Sequence, residues 1–156
     1  MMTCRLYRTN DEAALIHVID FVCAESKWMS TKKFVPTDQW NHALLNPGCT
    51  RHALFVVGEK DEIAGWCRLF PEKCLLSENV WELGIGLLPE YRNRKIGQGL
   101  LETAIVWASN QSCQSISLTT NENNHVALHL FNKIGFKVVN KQGSILSMSL
   151  SDYRVA

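Results

Sequence analysis

Apolar residues recur along this chain at two different periods, and the places where the period changes mark its elements. Leu15, Val18, Ile19 and Val22 fall near a spacing of 3.6, which predicts an amphipathic helix capped by Asn10 or Asp11 and ending around Ser26. A short strand, Cys4 to Arg8, precedes it, and a second helix is expected over Thr37 to Leu45, closed by Asn46-Pro47-Gly48. Lys27 to Val35 reads as a loop whose Trp28, Met29 and Phe34 either cap the core or wall a pocket. From Ala53 the period becomes two. Ala53 to Val57 and Ile63 to Phe70 form a hairpin about a turn at Gly58 to Glu62. A loop with Cys74 and Ser77 leads to a third strand, Val80 to Leu88, which Pro89 stops. Ile96, Leu100, Leu101, Ala104, Ile105 and Ala108 then make the stripe of a helix over Ile96 to Ser109. A strand at Ile116 to Thr120, a helix at Asn124 to Ile134, and strands at Phe136 to Val139 and Ile145 to Leu150 complete the chain.

A crossover helix between Leu88 and Ile116 requires those two strands to run parallel, whereas the hairpins give antiparallel neighbours. The fold class is therefore α/β with a mixed sheet: mostly antiparallel, containing one parallel pair, and flanked by helices. At 156 residues the chain is expected to be one domain, 1–156.

Charge narrows the partners. Lys and Arg number 16 against 15 Asp and Glu, so no nucleic-acid-binding stripe is expected. No run approaches the length of a membrane span, and neither a secretory leader nor a Cys-x-x-Cys pair is seen. Cys4, Cys23, Cys49, Cys67, Cys74 and Cys113 are accordingly read as reduced thiols, and the expected compartment is cytoplasmic.

The one local concentration of basic charge lies where a strand turns into a helix, at Leu87-Leu88-Pro89-Glu90-Tyr91-Arg92-Asn93-Arg94-Lys95-Ile96-Gly97-Gln98-Gly99. Each glycine at a helix start costs about 0.5–1 kcal/mol relative to alanine. Close approach of a ligand would offset that cost, because the first amides of a helix are unpaired and favour anions. A basic loop capping a sheet, with glycines that permit close helix packing, explains the letters equally well. The stretch is neither a dinucleotide fingerprint nor a P-loop.

This segment resembles the acetyl-CoA-binding signature of the GNAT superfamily of N-acetyltransferases: Arg or Gln, two variable residues, Gly, one variable residue, then Gly or Ala, following a strand and a proline. Counted from Pro89, the signature runs from Arg92 to Gly97, with Lys95 where the first glycine usually stands. A frame from Arg94 to Gly99 fits the letters without exception but fits that distance less well. Asn124-x-x-Ala127-x-x-Leu130-Phe131-x-x-x-Gly135-Phe136 resembles the second signature of the family, with Phe131 in place of its usual Tyr. Together the two cover most of the chain from about Ala53 to Val139.

The resemblance implies an acyl-CoA N-acyltransferase fold with acetyl-CoA as co-substrate. It implies that amides among Arg92, Asn93, Arg94, Lys95, Ile96, Gly97, Gln98 and Gly99 hold the pyrophosphate, and that the backbone near Leu87 and Leu88 pairs with the pantetheine arm. Asn124 would bond that arm or a water, and Phe131 would lie against the cofactor without donating a proton, since a phenyl ring has none to give. The acceptor would be a small-molecule or peptide amine, and homodimerisation is left open.

In the strand from Trp81, alternation sends Trp81, Leu83, Ile85 and Leu87 to one face and Glu82, Gly84 and Gly86 to the other. An open floor for a ligand, with Glu82 at its edge, would account for the two glycines. The family commonly keeps a catalytic Glu near this position, so Glu82 is the candidate base; the alternative is a carboxylate satisfied by solvent or an Arg. His125 and His129 lie four apart but lack further ligands of known spacing, so no metal is expected. Cys67 and Cys113 are read as packing residues. The function implied is transfer of acetyl from acetyl-CoA to an amine by direct attack, and the alternative is a non-catalytic acyl-CoA-binding or sensing module on the same fold.

Overall fold

A computed structural model describes residues 2–25, 27, 32–71, 80–111 and 113–151. The chain runs β1 (Thr3–Leu6), α1 (Glu12–Ala24), α2 (Asp38–Leu45), β2 (Ala53–Glu59), β3 (Glu62–Pro71), β4 (Val80–Leu87), α3 (Ile96–Ser109), β5 (Ser115–Asn121), α4 (His125–Ile134), β6 (Lys137–Gln142) and β7 (Ile145–Leu150). The strands form one seven-stranded sheet in the order β1-β2-β3-β4-β5-β7-β6. Among the described residues only β4 and β5 pair in parallel; the other neighbours are antiparallel. This is the mixed α/β sheet that the periodicity predicts, with α3 as the crossover.

Alternation along the central strands builds a core on each face. Phe55, Cys67, Leu69, Trp81 and Leu83 point to the face covered by α3 and α4, where they meet Leu100, Leu101, Ala104, Phe131 and Phe136. Leu54, Val56, Trp66 and Phe70 point the other way, against Leu15, Val18, Ile19 and Val22 of α1 and Ala43 and Leu44 of α2. The predicted stripe of α1 is buried, and so are Leu100, Leu101, Ala104 and Ala108 of the stripe of α3, with Ile96 and Ile105 partly so. No helix among the described residues is long and apolar enough to cross a membrane.

Several boundaries differ from expectation for identifiable reasons. Thr37 stands outside α2 as its cap, its Oγ1 accepting from the Trp40 N–H at 3.3 Å. Asn124 likewise caps α4 rather than opening it, accepting from the Ala127 N–H at 3.4 Å. β6 starts one residue after Phe136 and continues to Gln142, because pairing with β7 carries it on; it is exposed throughout, so no alternation announced its length. Trp28, Met29, Cys74 and Ser77 lie outside the described residues. Phe34 is described, and it packs edge-on against Trp40, with ring centroids 5.0 Å apart, so it caps the α1–α2 core.

Asp11 stands at the start of α1 but does not cap it. Its carboxylate takes both guanidinium nitrogens of Arg5, at 2.7 and 2.9 Å, and the Arg8 N–H at 2.8 Å. These bonds tie β1 to the turn before the helix. The Arg5 hydrogen bonds hold the Asp11 carboxyl below its ordinary range against the opposing effect of burial. A folded-state value below the unfolded one stabilises the protein above about pH 4 and stops doing so as pH falls through the folded value. Asp11→Asn should therefore lower stability by about 2 kcal/mol at pH 7, the scale of hydrogen bonds to a charged group. Urea midpoints for the two proteins should converge as pH falls below 4, and a gap that stays constant with pH would assign the loss to something other than charge.

Candidate functional site

The site begins where β5 parts from β4. The two strands pair at Val80 with Ser115, Trp81 with Ile116 and Glu82 with Ser117, and no further. β4 nevertheless continues to Leu87, held by β3 through the pair Gly65 with Leu87. From Leu83 to Leu87 the edge of β4 that faces β5 has no strand partner. Backbone polar groups left open on a central strand call for a partner from outside the protein.

At the end of that edge the chain turns through Pro89–Tyr91 into a tight loop. Arg92 fixes the turn. Its guanidinium donates to the Leu87 carbonyl at 3.0 and 2.8 Å and to the Glu25 carboxylate, just beyond α1, at 3.1 and 2.6 Å. The side chain of Arg92 is thus a clamp between β4 and α1. Its pairing leaves Arg94, Lys95 and the backbone to face an anion.

Asn93 and Lys95 have φ of 60° and 63°, both left-handed. Lys95 is the N-cap of α3. That conformation costs an L residue about 1–2 kcal/mol and favours glycine, which accounts physically for the glycine usual at this place in the signature read from Arg92. Such a turn gathers successive amides into an anion-binding concavity. The first helical amide to find a protein acceptor is that of Gly99, which donates to the Lys95 carbonyl at 3.2 Å. Every backbone N–H from Asn93 to Gln98 lacks a protein acceptor among the described residues. Gly97 and Gly99 are needed neither for φ nor for packing: a Cβ on Gly97 would come no nearer than 3.4 Å to Leu87, and one on Gly99 would meet nothing within 4 Å.

Residues 15–136 match the acetyltransferase (GNAT) family. The chain belongs to that family. A protein of Bacillus subtilis (strain 168), named "Putative ribosomal protein bS18-alanine N-acetyltransferase", is 29% identical over 102 residues, which are 64% of this chain and 62% of that protein. The chain thus matches less than two thirds of that relative's length. The fold is that of a GNAT acetyltransferase from Streptococcus pneumoniae (TM-score 0.86, 22% identity, covering 96% of this chain and 98% of that one). It is also that of a putative acetyltransferase from Salmonella typhimurium solved with acetyl-CoA (TM-score 0.81, 17% identity, covering 97% and 94%). Acetyl-CoA is the acetyl donor of the GNAT family, and the open edge of β4 and the unpaired amides beyond it suit its pantetheine arm and pyrophosphate.

The remaining candidate residues are distributed unevenly around this edge and loop. Leu88 is engaged at both backbone groups, its N–H donating to Ala64 and its carbonyl accepting from Tyr91, so the free part of β4 lies before it. Gln98 spends its side chain on Glu102 and Lys133, at 2.9 and 3.2 Å. Arg94 is exposed and lies over the Tyr91 ring. Ile96 packs on the α3–α4 core. Phe131 is buried against Phe136, centroids 5.8 Å apart. His125 and His129 are exposed on α4. Burial pushes the Cys67 thiol up to about 12, so it carries no thiolate at neutral pH.

The floor beneath Glu82 is not open, contrary to the expectation from its glycines. A Cβ on Gly84 would collide with the Arg68 side chain at 2.7 Å, and one on Gly86 with the Trp66 ring. The glycines make room for these β3 side chains, whose positions follow from the register Trp66 with Gly86 and Arg68 with Gly84. Arg68 in turn donates to Glu82 Oε1 at 2.9 Å and lies 5.1 Å from the centre of the Phe70 ring. Glu82 Oε2 has no partner among the described residues, and the side chain is 45% exposed.

The left-handed Lys95 can be tested directly. Lys95→Gly and Lys95→Ala both remove the charge, but only glycine relieves the backbone. The glycine variant should melt about 2–4 °C above the alanine variant, the shift expected for roughly 1 kcal/mol in a domain of this size. Both should bind CoA more weakly than the parent in a calorimeter. Equal melting temperatures would show that the loop relaxes without cost.

Proposed function

We propose that this chain transfers the acetyl group of acetyl-CoA directly to a primary amine within a ternary complex. One observation carries the reading: the unpaired edge of β4 runs from the unsatisfied amides at Asn93 to Gln98 back to Glu82, where β5 rejoins. At about 3.3 Å per residue, β4 spans about 17 Å between Leu87 and Glu82. A pantetheine arm laid along this edge would bring its thioester toward the point where the strands meet. Backbone groups from Leu83 to the Leu87 N–H would pair with the arm, while the amides from Asn93 to Gln98, with Arg94 and Lys95 beside them, would hold the pyrophosphate.

The neutral amine attacks the thioester carbonyl carbon; the C–N bond forms, the C–S bond breaks, and CoA leaves as its thiolate. The amine proton passes to a water on Glu82 Oε2, the oxygen that Arg68 leaves free. Phe131 supplies no proton. A thiol of pKa near 8.5 is a tolerable leaving group without one. The B. subtilis relative carries the name of an enzyme acting on a protein's alanine amine, which puts peptide N-terminal amines first among the acceptors to be tried, ahead of small-molecule amines. We read residues 1–156 as one acetyltransferase domain working in the cytoplasm.

The second reading, a non-catalytic acyl-CoA sensor, is favoured by one feature: the Phe131 ring in place of a hydroxyl-bearing Tyr. A thiol-release assay separates the two. Acetyl-CoA with peptides bearing N-terminal alanine, and with a panel of small amines, should yield free CoA that depends on the acceptor. Binding of CoA with no release against any amine would favour the sensor. In the active protein, Glu82→Gln should lower kcat/KM about 10²-fold, leave CoA affinity nearly unchanged, and recover in part at high pH as free amine rises. A loss below about threefold across pH 6–9 would return Glu82 to the scaffold.

A further inference from the structure

We propose that His42, Cys49 and His52 form a zinc site that clasps the end of α2 to the start of β2. His42 lies in the last turn of α2 and His52 immediately precedes β2. Between them the chain reverses at Asn46-Pro47-Gly48-Cys49, closed by the Cys49 N–H donating to the Asn46 carbonyl at 3.1 Å. The reversal brings one ligand atom from each of His42, Cys49 and His52 within 4.8 Å of one another.

His52 shows that this is more than a chance meeting of side chains. The residue is only 6% exposed, and its Nε2 has no hydrogen-bond partner among the described residues. A lone pair on that nitrogen is what a divalent metal ion takes up from a neutral imidazole. Buried acceptors without a donor are rare. Edge-on contacts with His42 and Phe70, centroids 5.2 and 6.1 Å away, further restrain the ring.

The donor set of two imidazoles and a thiolate selects Zn²⁺, since Mg²⁺ and Ca²⁺ take oxygen ligands. Zinc bonds of about 2.0–2.3 Å put tetrahedral ligands about 3.3–3.8 Å apart, so the group must close by about 1 Å. Exposed His42 and half-buried Cys49 can turn to do so while His52 stays fixed. His42 must release Asn46 Nδ2, 3.4 Å from its Nδ1, if it binds through that atom. Both histidines bind neutral, the Cys49 thiol gives up one proton to solvent, and a water fills the fourth position. The acetyl-CoA loop is at the other end of β4: Phe70, against which His52 packs, pairs with Glu82, five residues before Leu87. The metal would thus sit away from the acetyl-CoA loop, and CoA binding does not require it.

Cobalt reports on such a site. The full chain, stripped with a chelator and kept reduced by a phosphine, is titrated with Co²⁺. One equivalent should bind with a thiolate-to-cobalt charge-transfer band and visible bands of tetrahedral intensity. Zn²⁺ should displace it and raise the melting temperature. Cys49→Ser should abolish the charge-transfer band, and His42→Ala, at an exposed position, should weaken Zn²⁺ at least 10-fold while circular dichroism and CoA binding stay as in the parent. A parent protein without the thiolate band, a band that survives in Cys49→Ser, or a melting temperature indifferent to Zn²⁺ would each overturn the proposal.

Discussion

The open edge at the middle of this sheet exists because β5 leaves β4 after Glu82. A central strand normally has both edges hydrogen-bonded, because unpaired backbone groups away from water cost about as much as lost hydrogen bonds. Here β4 is paired with β3 from Trp81 to Leu87 but with β5 only through Glu82. The sheet stays continuous because β5 then pairs with β7 from Ile116 to Asn121. An opening of this kind has to be held, or the strands would close on each other. α3, the crossover between them, does part of this by packing Leu100, Leu101 and Ala104 beneath the strands.

The Arg92 clamp does the rest. By gripping the last carbonyl of β4 and the carboxylate after α1 together, it sets where the strand stops and how the chain enters α3. The left-handed residues Asn93 and Lys95 then reverse the chain tightly enough that the amides ahead of Gly99 meet no carbonyl of their own. A signature arginine is easily taken for a phosphate ligand. In this structure its charge is already met by Glu25, and its contribution is to hold the backbone that presents the amides. The strain at Lys95 belongs to the same device, since a relaxed backbone there would let the helix start earlier and satisfy those amides internally.

Much of this was legible from the chain itself where the signal was periodic or local. The stripes of α1 and α3, the alternation of β4 and the crossover that forces a parallel pair all follow from residue spacing, and the loop from Arg92 to Gly99 stood out by charge and glycine together. What sequence could not disclose was partnership at a distance. Arg92 and Glu25 are 67 positions apart, and nothing local to either predicts the ion pair. Gly84 and Gly86 looked like an empty floor because the register that sets Arg68 and Trp66 above them belongs to another strand. Asp11 had the residue type and position of a helix cap, but two nearby arginine-borne donors, the Arg5 guanidinium and the Arg8 amide, outcompete the helix for it. His42, Cys49 and His52 are close in sequence yet follow no familiar ligand spacing, and only the turn at Pro47 and Gly48 makes neighbours of them.

Filling the glycine floor with β3 side chains changes what Glu82 can be. A carboxylate alone at the edge of an open pocket would be free to meet a cationic acceptor directly. With Arg68 bonded to Oε1 and packed over Phe70, its position is set by the sheet, and the other oxygen has no partner among the described residues. The guanidinium also offsets the negative charge that would otherwise draw an ammonium group to the residue. In the mechanism we propose, recognition of the acceptor then falls to other surfaces, and Glu82 has the narrower task of orienting a water at the point where β4 and β5 part. A fixed carboxylate suits that task, because a relay of protons depends on the geometry of each hydrogen bond more than on the attraction between charges.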